Sequence, residues 1–343
     1  MHDAIRDALN AVFERNDVPE AVCQSAVAAI MDGQCDEVSI AVFLTALRVK
    51  GEAVNEIVGA ARAMIERAER VPTQRTGLLD TCGTGGDELH TFNISTATAF
   101  VAAACGVPVA KHGNRGVSSS SGSADVLEAL NVHTQLTPVH VGRCLDEIGI
   151  GFCFAPVFHG AMRHAAPVRK ALRFRTLFNL LGPLTNPANA EFQLLGASRI
   201  ATAEKLANAA ARLGRNRALV VCGNDQLDEV SLWGATTVFE VAADSVQRHT
   251  WSAATFGLSE CSVADLQVGS PAESAARIRA VFNGERSAAR DIIVANAAAA
   301  LIAAKTESDP VVAAERAARA IDSGATATLL TRFAGLTQTL SAK

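Results

Sequence analysis

The sequence predicts an α/β protein with a small all-helical domain and a larger α/β domain that contains a central, mostly parallel sheet. The chain has 343 residues, 49% of them hydrophobic, which is enough apolar material for a sizeable core. About seventy N-terminal residues show helical periodicity throughout. After Leu78, short apolar runs alternate with glycine-rich loops and amphipathic helices, a pattern typical of α/β domains.

The predicted domains are a helical domain at residues 1–72, which a segment near 160–187 is expected to join, and an α/β domain at residues 73–343. Asp36 is the predicted N-cap of a helix that ends at Gly51. Buried strands are predicted at 107–110, 151–154 and 218–222. Helices are predicted at 96–105, 123–130, 201–213, 275–282, 292–305 and 310–321.

The composition argues against several classes of protein. Lys and Arg number 31 against 35 Asp and Glu, a formal charge of -4 that offers no bulk attraction to nucleic acid or to an anionic membrane. The absence of tyrosine makes a stacking platform for single-stranded nucleic acid unfavourable. The first residues lack an apolar leader, and the apolar stretches are shorter than a membrane span. We therefore expect a cytoplasmic protein with neither a nucleic-acid nor a membrane partner.

Four polar segments together suggest a phosphate site. Residues 80–87 (DTCGTGGD) form a glycine loop after a short strand, and residues 93–96 (NIST) lie where a helix begins, so free backbone amides and the helix dipole face one anion. Residues 111–115 (KHGNR) follow the next strand and add two fixed cations, and the serine-rich run 116–123 precedes another helix. A glycine loop alone is more often a structural turn, so the prediction depends on the combination.

Two further clusters suggest an acceptor site and a metal site. Arg169, Arg173 and Arg175 lead into the apolar stretch 178–187, and a guanidinium beside an apolar wall suits an aromatic carboxylate. A solvated basic helix face is an equally good interpretation of these arginines alone. The adjacent carboxylates 228–229 follow the strand 218–222 and would suit Mg²⁺ with substrate phosphate oxygens, although an acidic pair is more often a solvated turn.

Four motifs in a fixed order resemble the anthranilate phosphoribosyltransferase family over nearly the whole chain: GTGGD at 83–87, TFNIST at 91–96, KHGNR at 111–115 and LGPLTNP at 181–187. The resemblance implies a fold similar to class II pyrimidine nucleoside phosphorylases and a homodimer made through the helical domain. It implies a Mg²⁺-dependent pentosyltransferase of tryptophan biosynthesis. Such an enzyme transfers phosphoribosyl from phosphoribosyl pyrophosphate to anthranilate, giving N-(5-phosphoribosyl)anthranilate and pyrophosphate.

The resemblance also implies residue roles, position by position. Phosphoribosyl pyrophosphate is expected at Gly83, Gly86, Asp87, Thr91, Asn93, Ser95, Thr96, Lys111, Ser119 and Ser123. Anthranilate is expected at Gly83, Asn114, Arg169, His112 and His159. Magnesium is expected at Ser95, Asp228 and Glu229. No general base is assigned, because the attacking aromatic amine is already neutral at physiological pH.

Several positions depart from the family pattern. Glycine is common where Glu88, Arg173 and Gln226 stand, serine or alanine where Gly116 stands, and a cation where Ser120 stands.

Two alternative functions remain open on the sequence alone. A pyrimidine nucleoside phosphorylase would carry a serine-glycine-arginine phosphate motif where 111–115 stands. A non-catalytic paralogue that binds nucleic acid would have no need of Arg169 and the acidic pair 228–229.

Overall fold

The computed structural model describes residues 1–116, 122–243 and 245–342. The N-terminal helices are α1 (Asp3–Phe13), α2 (Glu20–Met31), α3 (Glu37–Lys50) and α4 (Val54–Glu66). The later helices are α5 (Ile94–Ala104), α6 (Ser123–Ala129), α7 (Pro138–Ile148), α8 (Ala155–Phe158), α9 (Ala166–Leu172), α10 (Phe178–Leu181), α11 (Ile200–Arg212), α12 (Pro271–Phe282), α13 (Ala288–Ala303), α14 (Pro310–Asp322) and α15 (Ala325–Ser341). The strands are β1 (Leu79–Asp80), β2 (Val109–Gly113), β3 (Ile150–Phe154), β4 (Phe192–Gly196), β5 (Arg217–Gly223), β6 (Thr236–Ala242) and β7 (Ser245–Trp251).

The strands form a seven-stranded sheet in the order β3-β2-β1-β4-β5-β6-β7. The five strands from β3 to β5 are parallel, and β6 and β7 add an antiparallel hairpin at one edge. The strand order reverses between β1 and β4, where open α/β sheets bind their ligands at the carboxyl ends of the strands. The predicted fold class, a helical part with a larger α/β part and a mostly parallel sheet, is confirmed.

The two faces of the sheet pack against different helices. Leu195 of β4 and Val220 of β5 belong to an apolar cluster with α1–α4 and α11. Their neighbours Leu194 and Leu219 belong to a second cluster with α5 and α13. This alternation follows from the two-residue period of a strand. Both faces are therefore covered, as a parallel sheet requires.

The first helices are fixed by local capping and by one buried carboxylate. Asp36 caps α3 by accepting a hydrogen bond from the Ser39 amide at 2.8 Å, and Gly51 ends that helix with a φ of 88°, so both predictions are confirmed. Glu56 is fully buried, where it accepts from the Val18 amide at 2.9 Å and pairs with Lys50 at 3.0 Å. A buried charge needs such partners.

The predicted strands at 151–154 and 218–222 are observed to within one residue, as β3 and β5. The strand predicted at 107–110 is wrong in its bounds, because β2 begins later and continues through Lys111 and His112. Lys111 Nζ donates to the Thr81 carbonyl at 2.9 Å, and the His112 amide donates to Oδ1 of Asp80 at 3.0 Å. These internal partners let polar residues lie in a buried strand.

Within the described ranges, no helix is both long enough and apolar enough to span a membrane.

Candidate active site

A cleft of about 300 Å³ opens at the carboxyl end of the sheet. The loops that follow β1, β2 and β5 supply one side of it, and the segment containing α9 and α10 supplies the other. Because parallel strands present their carboxyl ends at one edge, loops that are far apart in sequence meet here. The predicted motifs at 83–87, 111–115 and 228–229 therefore share one cleft.

The glycine loop lies directly on the Asp228 segment. Gly85 and Gly86 have φ values of 63° and 78°, a conformation that glycine adopts without strain. The Gly85 amide donates to Oδ2 of Asp228 at 2.7 Å, and the Thr84 amide donates to the Gly196 carbonyl at 2.9 Å. A β-carbon at Gly83 would lie 2.5 Å from Oδ2 of Asp228. A side chain at residue 83 would therefore displace the Asp228 carboxylate.

A helix N-terminus and a lysine meet beside this loop. Asn93 caps α5 by accepting from the Thr96 amide at 3.1 Å. Lys111 Nζ donates to Ser95 Oγ at 3.2 Å, which places its ammonium at the start of the helix. A fixed cation and the positive end of a helix dipole at one place favour an anionic ligand.

Three carboxylates, those of Asp87, Asp228 and Glu229, line the same cleft as Lys111. Burial, together with the smaller effect of the nearby Asp228 charge, raises the pKa of Asp87 to about 7. Burial also raises the pKa of Asp228, although the Gly85 amide and Arg175 oppose this. Burial and the Asp228 charge raise the pKa of Glu229 well above its usual value. Crowded, half-buried carboxylates favour a hard divalent cation, and their oxygens are the donors that Mg²⁺ prefers.

A second polar group supports the floor of the cleft. Asp80, Cys82 and His112 each bring one potential ligand atom to within 4.8 Å of the others. His112 Nδ1 donates to the Gly182 carbonyl at 2.8 Å, because a carbonyl only accepts, and burial lowers the pKa of this ring to about 4. The His159 ring lies 5.1 Å behind it, and burial lowers its pKa to about 3. Both imidazoles are neutral at physiological pH, and we interpret the hydrogen-bonded Asp80 and His112 as internal supports of the loop.

The opposite end of the cleft combines an arginine with apolar side chains. Arg169 lies on α9, with Cζ 5.7 Å from the centre of the Phe178 ring. Burial lowers the pKa of its guanidinium. Among the described residues, no carboxylate forms an ion pair with Arg169. An unpaired, partly desolvated guanidinium beside an aromatic face suits a ligand that carries both a ring and a carboxylate.

Most residues of the predicted site line this cleft: Gly83, Gly86, Asp87, Thr91, Asn93, Ser95, Lys111, His112, Asn114, Ser123, Arg169, Asp228 and Glu229. Thr96 is buried within the start of α5, and His159 is buried behind His112. Ser119 and Ser120 lie outside the described residues. Arg175 also lies in the cleft, although of the basic cluster only Arg169 was predicted to bind a substrate. Its only signal was its position in the basic cluster beside the 178–187 stretch.

The departures from the family pattern now have local explanations. Glu88 has a φ of 59° and Arg173 a φ of 55°, so each stands in a left-handed conformation that glycine adopts most readily. The Glu88 side chain is exposed. Gln226 is exposed as well, in the turn that follows β5. Gly116 lies at the edge of the described residues, where its amide donates to Oδ2 of Asp125 at 2.9 Å.

Both parts of the chain match known families. Residues 75–327 match the model described as the a/b domain of a glycosyl transferase family, and residues 6–68 match its helical bundle domain. Over 335 residues the chain is 47% identical to the anthranilate phosphoribosyltransferase of Symbiobacterium thermophilum, an alignment that covers 98% of each protein. The chain belongs to the anthranilate phosphoribosyltransferase family. The expected glycosyltransferase family is therefore confirmed, and neither alternative interpretation is supported.

Solved anthranilate phosphoribosyltransferases share the whole fold. The enzyme of Thermus thermophilus is 40% identical with a TM-score of 0.91, over 97% of this chain and 99% of that one. The Saccharomyces cerevisiae enzyme in complex with PRPP and Mg is 27% identical with a TM-score of 0.91, over 99% of both chains. The same yeast enzyme in complex with 4-fluoroanthranilate has a TM-score of 0.88 at 26% identity, over 98% of both chains.

Proposed function

We propose that this chain transfers the phosphoribosyl group of phosphoribosyl pyrophosphate (PRPP) to the amine of anthranilate, as a step of tryptophan biosynthesis. The products are N-(5-phosphoribosyl)anthranilate and pyrophosphate. One observation carries the proposal. A single cleft has amides, Lys111 and a helix N-terminus at one end, and at the other the Arg169 guanidinium, which lies beside the Phe178 ring without an ion pair in the described part of the chain. These ends suit an anionic donor and an aromatic carboxylate acceptor.

PRPP would occupy the end of the cleft formed by the glycine loop and α5. The amides of the loop and of the helix start would bind its phosphates, and Lys111 would add a fixed positive charge. Within this proposal the PRPP residues are Gly83, Gly86, Asp87, Thr91, Asn93, Ser95, Thr96, Lys111, Ser119 and Ser123. Thr96 would act from beneath the helix start, since its side chain is buried.

Mg²⁺ would bind through Ser95, Asp228 and Glu229. The fit rests on the half-buried carboxylates of Asp228 and Glu229. Burial raises the pKa of both, the Asp228 charge raises that of Glu229 further, and a divalent cation would neutralise their charge. When bound, Mg²⁺ would stabilise the negative charge that develops on the departing pyrophosphate. The yeast enzyme with bound PRPP and Mg supports this assignment.

Anthranilate would enter from the Arg169 end. The guanidinium of Arg169 would bind the carboxylate, and Phe178 would pack against the ring. Gly83, Asn114, His112 and His159 are the remaining proposed contacts, with His159 acting through His112 because it lies behind that ring. The neutral amine attacks the ribose carbon as its bond to pyrophosphate breaks, and the amine proton leaves to solvent. Placement of the two substrates therefore supplies most of the catalysis.

We also propose an assembly and a location. Residues 1–72 together with 160–187 would form the helical domain, which is supported by the apolar contacts of Val168 and Leu177 with the N-terminal helices. A homodimer through this domain is supported by the exposed apolar side chains of Phe13, Val38 and Val49 on α1 and α3. A cytoplasmic location is supported by cysteines that are all free.

The decisive experiment follows the fluorescence of anthranilate after PRPP is added, with and without Mg²⁺. We expect a loss of fluorescence that requires Mg²⁺ and that is strongly slowed in Asp228→Asn. Glu285→Gln, which changes an exposed carboxylate far from the cleft, should behave as wild type. Absence of any loss from folded protein would refute the transfer reaction. Loss without a need for Mg²⁺ would refute only the metal assignment.

A further inference from the structure

Arg175 connects the two ends of the cleft. It lies between α9, which carries Arg169, and α10, which carries Phe178. Its Nη1 donates to the Gly85 carbonyl at 2.9 Å, and its Nη2 donates to the Thr84 carbonyl at 3.0 Å. One guanidinium therefore binds two successive carbonyls of the glycine loop, 90 residues away in sequence. This is the fork geometry in which arginine differs from lysine.

The bonds from Arg175 fix the direction of the loop amides. A peptide group is planar and trans, so the N–H of each residue points opposite to the carbonyl that precedes it. Holding the Thr84 carbonyl directs the Gly85 amide away from Arg175, where it donates to Asp228. Holding the Gly85 carbonyl directs the Gly86 amide away from Arg175 in the same manner. Within the described residues, the Gly86 amide has no hydrogen-bond partner and is available to a ligand.

The contact is close and specific. A β-carbon at Gly86 would overlap Nη1 of Arg175, so a side chain there would push the guanidinium aside, and the φ of 78° favours glycine at this position in any case. Arg175 is half-buried, and among the described residues no carboxylate pairs with it as a salt bridge. Hydrogen bonds from a charged donor are about twice as strong as neutral ones. The carbonyls of the glycine loop are thus its main partners.

We propose that Arg175 is a positioning residue, which holds the glycine loop with the Gly86 amide presented to the pyrophosphate of PRPP. The inference rests on the proposed function, since PRPP is taken as the ligand of that amide. Arg175 also makes the loop position depend on the segment that carries Arg169.

The test compares Arg175→Gln and Arg175→Lys with the control Arg173→Gln. Arg173 lies two residues away in the same segment and is exposed. Kinetics would give kcat and both KM values, and hydrogen exchange without substrates would report the mobility of residues 81–89. Thermal unfolding would confirm that each variant is folded.

For Arg175→Gln we expect faster hydrogen exchange in residues 81–89. We also expect the KM for PRPP to rise on the order of 10- to 100-fold, because one to two charge-assisted hydrogen bonds that hold the loop are lost. The KM for anthranilate should change much less. Arg175→Lys keeps the charge but loses the fork, so it should recover only part of the affinity for PRPP.

Three results would overturn the proposal: unchanged exchange in 81–89, equal changes in both KM values, or a lower melting temperature with unchanged kinetics. Full recovery in Arg175→Lys would also overturn it, since charge alone would then suffice. If wild type fails to consume anthranilate, the proposed function fails instead. The exchange measurement would still decide whether Arg175 holds the loop.

Discussion

Replacing Arg169 by glutamine should separate substrate binding from stability. The Arg169 guanidinium faces the cleft without an ion pair among the described residues, and burial lowers its pKa. Its Cζ lies 5.7 Å from the centre of the Phe178 ring. The folded protein therefore holds a positive charge that is poorly compensated until a carboxylate arrives. Its removal should harm binding far more than folding.

The magnitudes follow from these contacts. A bidentate pair with the anthranilate carboxylate comprises two charge-assisted hydrogen bonds of about 1.5 kcal/mol each, together about 3 kcal/mol or roughly 100-fold in affinity. Loss of the cation–π contact costs about 0.5–1 kcal/mol, and relief of the desolvated charge offsets it. The net change in stability should stay within about 1 kcal/mol. For a chain of this size, that corresponds to about 2 °C or less in melting temperature.

Arg248→Gln is the matched control for this prediction. Arg248 lies on β7 with Cζ 5.8 Å from the Phe239 ring, so it has the same cation–π geometry but lies away from the cleft. Initial rates at varied anthranilate and saturating PRPP should show a raised KM for anthranilate in Arg169→Gln alone. An unchanged KM, or a melting temperature lowered by many degrees, would show that Arg169 has a structural role instead.

Two further predictions concern stability. Gly59→Ala should destabilise the protein by about 1–3 kcal/mol, because the added β-carbon would overlap the Glu20 carbonyl where α2 packs on α4. The control Gly335→Ala in α15 places its β-carbon in open space and should stabilise the protein by up to about 1 kcal/mol. Urea unfolding measures both, and equal effects would contradict the prediction. Burial lowers the pKa of His159 to about 3, so the unfolded chain takes up a proton below pH 6.5 that the folded protein does not, and stability falls as the pH is lowered. At pH 5 this proton uptake lowers the free energy of unfolding by about 2 kcal/mol. Urea unfolding at pH 5 and pH 7 should show that His159→Phe removes this loss of stability and that the control His140→Phe retains it.

Local patterns predicted the elements whose burial is continuous. The all-apolar runs of β3 and β5 and the caps at Asp36 and Gly51 were found from sequence, because each depends on residues close together in the chain. The bounds of β2 were wrong, since a lysine and a histidine in a buried strand depend on acceptors at Thr81 and Asp80. Those partners come from the end of β1 and the residue after it, and they leave no periodic signal.

The site could be located from sequence but not completed. The motifs at 83–87, 111–115 and 228–229 each follow a strand, and the rule for carboxyl ends of parallel strands brings them together. The role of Arg175 could not be read in this manner. Its partners are backbone carbonyls, which every residue type carries, so the contact with Thr84 and Gly85 has no signature in the side chains.

The antiparallel hairpin bears on how the protein avoids self-association through its sheet. Of the two edge strands, β3 is buried along its length, whereas β7 is mostly exposed. An exposed edge offers unpaired amides and carbonyls on which another chain can polymerise. β7 carries Gln247, Arg248 and His249 in its middle, and charged or polar side chains on an edge deter such pairing. Apolar substitutions at these positions would turn the edge into an aggregation site, although they lie far from the cleft.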